Sequence, residues 1–292
     1  MSQERQGLKR SAKPSRLRRL PLEWKLLFGS LVLFLVGFSF DGTTGSQWQP
    51  SPRQESLLRL VTWNVGGSTD EGGVRLRGEH LQHVADVLRR IDADLVVLQE
   101  VRDRGQLQEL LELLPTGARA VHQRGRTERP VTILAWRGRL TQVAIGDGLV
   151  VRYDSRMFAP LFVAGVHADP LSSTDRNETL GRLINNLAHR LEQQPSILAG
   201  DLNLDLDLDK RRDLFSDNEY RDVETYNYIC ERYVDATVGS GSTAEPDRRL
   251  DYIFVAPQFL DVQQAGPWKE QRTGDMDHDP VIADLHVTTE GS

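Results

Sequence analysis

Residues 196–203 read Ser-Ile-Leu-Ala-Gly-Asp-Leu-Asn, and this stretch decides the fold. Its apolar run, 197–199, is typical of a buried strand. Gly200 predicts a tight turn at the end of that strand, because glycine has no Cβ to crowd the backbone. Asp201 and Asn203 follow two residues apart, and both side chains point the same way if the backbone stays extended. The pair therefore predicts either an ordinary turn or a polar site for a water, a metal-bound oxygen or a phosphate.

The segments around this stretch alternate between strand and helix patterns. Apolar runs predict strands at 58–63, 95–98, 131–136, 149–151, 161–166, 252–255 and 281–285. Apolar residues at helical spacing predict helices within 81–91, 107–114 and 180–191. We find no internal repeat, so 57–288 is predicted to be one domain.

The chain before this domain has a different composition. Residues 1–21 are basic and polar, and we expect a cytoplasmic tail there. Within 22–40, the run 26–40 carries no charge, which predicts a membrane helix near the lower length limit for spanning. The same length fits the core of a signal peptide. The composition of 41–56 predicts a flexible linker, and we expect the domain to fold without the first 56 residues.

No small-x-small cleavage site follows Phe40, which favours an uncleaved signal-anchor over a cleaved signal. We therefore expect a single-pass membrane protein whose catalytic domain lies on the extracytoplasmic side. The alternative is a protein secreted after signal cleavage.

Charge is distributed unevenly along the chain. The first forty residues hold eight basic and two acidic side chains, which leaves 28 basic against 40 acidic residues in the remainder, a net charge of −12. An acidic body is poorly suited to non-specific DNA binding, although a local basic patch could suffice. Cys230 is the only cysteine, so no internal disulfide is possible. The alternating run of Asp205, Asp207 and Asp209 lacks the glycine and glutamate of a calcium loop, and we expect a solvated edge there.

Polar residues follow or precede most of the predicted strands. Each has an ordinary explanation as a cap, a turn or a solvated side chain. Their convergence at one rim is the better explanation for so many, because strands deliver binding residues to a common edge. The residues are Asn64, Glu100, His167, Asp201, Asn203, Asp251, Asp277 and His278.

The order and content of these motifs resemble the endonuclease/exonuclease/phosphatase superfamily, from about residue 57 to 287. The motifs are Trp63-Asn64, Leu98-Gln99-Glu100, His167, Gly200-Asp201-Leu202-Asn203, Leu250-Asp251-Tyr252-Ile253-Phe254 and Asp277-His278. The resemblance implies an α/β four-layer sandwich, in which two mixed β-sheets pack face to face with helices outside. Preceded by the membrane helix, this domain would carry a metal-dependent phosphoesterase site on one rim.

Hydrolysis of a phosphoester needs a cation for the phosphoryl charge, a base for the water and an acid for the leaving oxygen. Hard oxygen ligands predict Mg²⁺ or Mn²⁺, with Glu100 as the best single ligand and Asn64 and Asp277 as its partners. The sequence does not decide which of Asp201, Asp251 and His278 is the base.

The resemblance also implies roles for the remaining residues. Asp251 orients and charges His278, and Asp201 with Asn203 positions the attacking water. His167 acts on the leaving group or stabilises the equatorial oxygens.

Two details bear on the branch of the superfamily. Abasic-site endonucleases carry a tyrosine at the position of His167. The stretch Gln99-Glu100-Val101-Arg102-Asp103 is close to the deoxyribonuclease form, in which the arginine contacts substrate. By the same resemblance, Glu128 pairs with His167.

We therefore expect a nuclease-like phosphodiesterase. The alternative is a phosphodiesterase or phosphatase for a lipid head group or another small phosphoester, and a catalytically silent binding module is the third hypothesis. The expected partners are the phosphoester substrate and the membrane, with no obligate protein partner evident.

Overall fold

The computed structural model describes residues 48–66, 78–124, 129–145, 148–191, 194–207 and 220–288. The elements in chain order are β1 (Leu58–Asn64), α1 (Gly78–Ile91), β2 (Leu95–Gln99), α2 (Arg104–Leu113), β3 (Arg119–Arg124), β4 (Pro130–Ala135), β5 (Arg139–Val143), β6 (Leu149–Asp154), β7 (Leu161–His167), α3 (Ser173–Leu191), β8 (Ser196–Asp201), α4 (Asp222–Cys230), β9 (Val234–Asp235), β10 (Asp251–Val255), β11 (Leu260–Pro267) and β12 (Val281–Val287).

The strands form two six-stranded sheets of similar design. The first sheet has the order β11-β12-β1-β2-β4-β3, and the second has the order β5-β6-β7-β8-β10-β9. Each sheet has one parallel pair at its centre, β1 with β2 and β7 with β8, and antiparallel neighbours elsewhere. Strands β1, β2, β7 and β8 thus end at the rim where β10 and β12 begin.

The side chains of the central strands alternate between two cores, as the period of a strand requires. Leu58 and Leu60 of β1 join Ile197 of β8 in the core between the two sheets. Val61 and Trp63 point the other way, into a core beneath α1 and α2. On the second sheet, α3 and α4 cover a third core. These three cores separate four layers, which confirms the predicted sandwich.

Two local predictions about the opening stretch were wrong. Gly200 lies inside β8 rather than in a turn, with a φ of 152°. A Cβ there would lie 2.0 Å from the carbonyl oxygen of Val166, so glycine is required by the close approach of β7. The turn comes later, at Asn203, whose φ is 50° and whose N–H donates to Asp201 Oδ1 at 3.0 Å. The extended backbone that would align the two side chains is therefore absent.

The predicted linker 41–56 is described from residue 48 onward, and this part contacts the domain. The Trp48 ring packs against Gly266. Ser51 Oγ donates to Gln264 at 2.9 Å, and Arg53 holds Asp94 through two hydrogen bonds of 2.9 and 2.8 Å. The predicted tail 1–21 and membrane helix 22–40 lie outside the described residues. Within the described part of the chain, none of the helices has the length and apolarity to cross a membrane.

Candidate active site

The predicted site residues meet at one rim of the sandwich. The topology explains the meeting, because four strands end there and two begin there. Asn64 ends β1, His167 ends β7 and Asp201 ends β8, while Asp251 begins β10 directly opposite Asp201. The rest stand in the flanking loops, namely Glu100 after β2, Asn203 after β8 and the pair Asp277-His278 before β12.

Asn64 joins the two sheets through its side-chain amide. Its Nδ2 donates to Glu100 Oε1 at 3.0 Å and to Asp201 Oδ2 at 3.1 Å. Its Oδ1 accepts from the Gly66 N–H at 3.0 Å, which fixes the orientation of the amide. Gly66 also makes room for the acid, since a Cβ there would fall 1.6 Å from Glu100 Oε2. The three polar side chains form one connected cluster.

Asp251 and His278 form a hydrogen-bonded pair at 2.8 Å, between Oδ2 and Nδ1. Both residues are buried. Trp63 Nε1 donates to the backbone oxygen of His278 at 3.0 Å and holds the loop against β1. The other ring nitrogen of His278, Nε2, lies 3.8 Å from Asp201 Oδ2. That separation is too long for a hydrogen bond.

Thr243 fixes the carboxylate of this pair, and sequence analysis missed it. Its Oγ1 accepts from the N–H groups of Leu250 at 3.0 Å and Asp251 at 3.1 Å. With both lone pairs engaged, the hydroxyl donates to Asp251 Oδ2, at 2.7 Å. The same oxygen is thus held by both Thr243 and His278. Nothing in the pattern around Thr243 marks it, because its role depends on a loop geometry set by the fold.

The two histidines are in opposite charge states at neutral pH. Burial opposes protonation of His278, but the charges of Asp251, Asp201 and Asp277 and the hydrogen bond to Asp251 raise its pKa to about 10. Burial lowers the pKa of His167 to about 4, and the nearby charge of Asp201 compensates only in part. His278 is thus a cation and His167 is neutral, which gives them different roles.

The carboxylates of the rim repel one another. Burial raises the pKa of Glu100, and the charges of Asp201 and Asp277 add to that effect. Burial also raises the pKa of Asp277, again with a contribution from Asp201. Oxygen donors crowded in this way suit a hard divalent cation, which removes the repulsion. Glu100 and Asp277 therefore offer oxygen ligands that fit such a cation. Asn64 turns its Nδ2 toward Glu100 and its Oδ1 toward the Gly66 N–H, so it orients Glu100 and does not present an oxygen beside it.

A second donor group lies beside the first. Asp201, Asp251 and His278 each offer one ligand atom, and these atoms lie within 4.8 Å of one another. Asp201 belongs to this second group, and its Oδ2 accepts from Asn64 at 3.1 Å, which connects it to Glu100.

His167 and Asn203 complete the rim. His167 Nε2 lies 3.9 Å from Glu100 Oε1 and 3.8 Å from Asp201 Oδ2. Asn203 is buried, and its Nδ2 donates to the carbonyl oxygen of Ala168 at 3.3 Å. This bond ties the loop after β8 to the loop after β7. The side-chain amide of Asn203 therefore holds the rim together, while its backbone N–H donates to Asp201 Oδ1.

Arg102 stands apart from this cluster. The guanidinium of Arg102 is half exposed and pairs with Asp103 at 3.3 Å, so the structure places it on the surface beyond Glu100. Glu128, expected to pair with His167, lies outside the described residues, as does Asp209. The expectation of a solvated edge was wrong for Asp205, which is buried and pairs with Arg248 at 2.9 Å.

A model of the Endonuclease/Exonuclease/phosphatase family matches residues 61–272. A search of curated proteins found no significant match.

Among solved structures, an endonuclease/exonuclease/phosphatase from Bacteroides vulgatus is similar, with 17% identity, a TM-score of 0.61 and coverage of 80% of this chain and 99% of that one. A mannosyl-6-phosphatase from Bacteroides thetaiotaomicron has 18% identity, a TM-score of 0.57 and coverage of 78% and 99%. An AP endonuclease from Archaeoglobus fulgidus has 16% identity, a TM-score of 0.58 and coverage of 77% and 98%. These likenesses show the fold.

Proposed function

The chain belongs to the endonuclease/exonuclease/phosphatase family, and from this premise we propose that it is a metal-dependent phosphoesterase that cleaves a phosphodiester with an activated water. The observation that carries the proposal is the contact across the rim. Asp251 and His278 form a pair at 2.8 Å, and His278 Nε2 faces Asp201 Oδ2 at 3.8 Å. A water placed between these atoms would reach both.

The charge of each site residue determines the role that we assign to it. Glu100 with Asp277 would hold Mg²⁺ or Mn²⁺, which supplies positive charge for the phosphoryl oxygens, and Asn64 would orient Glu100. The carboxylates around His278 raise its pKa, so we assign it the donation of a hydrogen bond from Nε2 to a phosphoryl oxygen and not the role of base. Asp201, next to Asn203, orients the water and accepts its proton. Neutral His167 faces the leaving group.

A hydrolysis panel tests this proposal. We expect turnover of at least one of plasmid DNA, RNA, sphingomyelin and bis(p-nitrophenyl) phosphate with Mg²⁺ or Mn²⁺, and none with EDTA. The His278→Ala variant is the matched control, because it lacks the proton donor and keeps the acidic ligands. Turnover that persists in EDTA would refute the metal mechanism, and near wild-type turnover in His278→Ala would refute the role of His278. No turnover and no metal binding would favour the silent binding module.

Nucleic acid is the first candidate substrate. It is supported by the likeness of Gln99-Glu100-Val101-Arg102-Asp103 to the deoxyribonuclease motif. The exposed guanidinium of Arg102 is accessible to a phosphate backbone. We expect Arg102→Ala to raise KM for DNA more than KM for bis(p-nitrophenyl) phosphate.

A small phosphoester or lipid head group is the second candidate. Beyond residue 40 the chain carries 28 basic and 40 acidic residues, which disfavours a long polyanion. One similar structure is itself a mannosyl-6-phosphatase. Preference for a small ester over DNA and RNA in the panel would favour this candidate.

We also propose the membrane anchor at 22–40, with the domain on the extracytoplasmic side. The full-length protein should then resist extraction from membranes by carbonate. A variant that lacks residues 1–47 should be soluble and melt normally. Removal of residues 1–56 should lower Tm, because it deletes Arg53 and leaves buried Asp94 without that partner. A soluble form beginning near Asp41 would reveal a cleaved signal instead.

A further inference from the structure

A pocket of about 160 Å³ lies beside His167, at the edge of the rim. Strands β4, β6 and β7 and helix α3 supply its wall. Apolar side chains dominate that wall, namely Val131, Leu149, Val166, Leu180 and Leu183. We call this cavity the ring pocket.

His167 belongs to both the ring pocket and the catalytic rim. Its Nε2 faces Glu100 and Asp201 at 3.9 and 3.8 Å. Its other nitrogen, Nδ1, is buried and has no hydrogen-bond partner among the described residues. The side chain is only 9% exposed. A ligand that extends from the rim into the pocket would therefore pass the imidazole ring.

The size and polarity of the pocket restrict its occupant. An apolar protein cavity of about 150 Å³ is large enough for one benzene ring. A planar ring can pack its faces on the aliphatic side chains and turn a polar edge toward the polar side chains that also line the pocket. A sugar or a phosphate would instead place hydroxyls or charge against the aliphatic part of the wall. A single planar ring is the group that matches this volume and this wall.

Polar side chains also line the pocket, namely Gln123, Arg129, Thr179 and Arg182. Arg129 is held by Asp169 at 2.5 Å. The other oxygen of Asp169 accepts from the N–H groups of Leu171 and Ser172, both at 2.8 Å. The guanidinium is therefore held in place, where it complements a carbonyl oxygen on a ring or the negative charge on a departing oxygen.

We propose that the ring pocket binds a single planar ring carried by the alcohol portion of the substrate. The inference rests on the proposed function, because the phosphoryl group must lie at the rim for the ring to enter the pocket. Its chemical class is a phosphoester of an aryl alcohol or of a pyrimidine nucleoside, which share the ring.

Gly148 provides a way to narrow the pocket. A Cβ at Gly148 would lie 3.1 and 3.4 Å from the two methyl groups of Leu183, which must then shift. Gly181 on α3 is the matched control, because a Cβ there meets nothing within 4 Å. Gly148→Ala and Gly181→Ala thus make the same chemical change, and only the first reaches the pocket wall.

The test is calorimetric binding of two unreactive anions in the presence of Mg²⁺, phenylphosphonate and methylphosphonate, which differ in the ring. We expect the wild type to bind phenylphosphonate on the order of tenfold more tightly, because the ring buries apolar surface. Gly148→Ala should bring the two affinities to within about threefold. Gly181→Ala should keep the wild-type ratio.

Equal affinities in the wild type, or a ring preference that Gly148→Ala leaves intact, would overturn the ring pocket. Failure to bind either anion would overturn it as well. The hydrolysis panel then separates the two proposals: turnover in the panel leaves the proposed function standing, and no turnover removes both.

A second pair of ligands distinguishes the sources of the ring. Uridine 5′-monophosphate and ribose 5-phosphate differ by a base held one sugar away from the phosphate. A preference for the nucleotide that Gly148→Ala removes identifies a pyrimidine nucleoside. A preference confined to phenylphosphonate identifies an aryl ester.

Discussion

Carboxylates are buried at the rim and at the opposite end of the first sheet, but their hydrogen-bond partners differ. At the end opposite the rim, Asp284 accepts two hydrogen bonds of 2.7 Å from Arg59, and Asp94 accepts two of 2.9 and 2.8 Å from Arg53. At the rim, the described partners of Glu100 and Asp201 are Asn64, the backbone N–H of Asn203 and histidines. A guanidinium neutralises the structural acids, whereas the rim keeps negative charge available for a ligand.

Replacement of His278 should have the largest effect on activity. His278→Ala removes the charged donor, and we expect turnover to fall by about two to four orders of magnitude, the usual scale for one acid–base group. Asp251→Asn should cost less, because the ring stays in place. Steady-state kinetics measures both, with circular dichroism to establish folding. Near wild-type turnover in His278→Ala would contradict this contrast, because His278 would then serve stability alone, as the arginines at the opposite end do.

Removal of Arg59 should have the largest effect on stability. Arg59→Ala leaves Asp284 buried without its partner, which typically costs about 3–5 kcal/mol of unfolding free energy. The surface pair Arg89–Asp86 offers a control, because both side chains are about half exposed and Arg89→Ala should cost under about 1 kcal/mol.

Chemical denaturation of each variant gives these values. The double variant Arg59→Met, Asp284→Leu should recover most of the loss, since it removes both charges. Equal losses for Arg59→Ala and Arg89→Ala would contradict the structural role of the buried pair.

A cation should stabilise the rim, where carboxylates repel. At a Mg²⁺ or Mn²⁺ concentration one hundred times Kd, the expected gain is about 2.7 kcal/mol, seen as a higher Tm. Glu100→Gln removes one negative charge, so it should bind metal more weakly and melt at least as high as wild type without metal. A metal-free Tm below that of wild type would show that Glu100 is structural.

Thr243→Val should have the smallest effect of the four. It removes the hydroxyl donor to Asp251 and keeps the shape, and we expect about a tenfold loss of kcat with KM little changed. Thr243→Ser should restore the rate, because it restores the donor. Equal KM and kcat effects, or no rescue by serine, would argue against a positioning role.

The strands in the interior of the fold were predicted from the sequence, whereas several strands at the sheet edges were not. Strands β1, β2, β7 and β8 are buried on both faces, so their apolar runs are continuous and easily recognised. Strand β5 lies at a sheet edge and is mostly exposed, and its polar sequence carries no such signal. The sequence analysis also missed the edge strands β3 and β11 and helix α4, because they likewise lack a continuous apolar run.

The site divides in the same way. Residues at strand ends, such as Asn64 and Asp251, were found because the strand pattern located them. Thr243 acts through the geometry of its loop, and Gly66 acts by allowing Glu100 to approach its backbone closely. Neither role produces a periodic pattern in the sequence. Asp205 was misjudged because burial by α4 and Arg248 depends on contacts distant along the chain.

The rim is a seam between two separately hydrogen-bonded sheets. Asn64 reaches from the first sheet to Asp201 on the second, and His278 reaches from the loop before β12 to Asp251 on β10. Among the described residues, no strand of one sheet pairs with a strand of the other. The distance across this seam is therefore set by the side chains packed between the sheets, together with the backbone bridge between Ala244 and His278. A displacement of about 1 Å between catalytic groups can cost about a hundredfold in rate. A change in the packing between the sheets should therefore lower the catalytic rate more than it lowers Tm. On heating, we expect activity to be lost at a lower temperature than the one at which the protein unfolds.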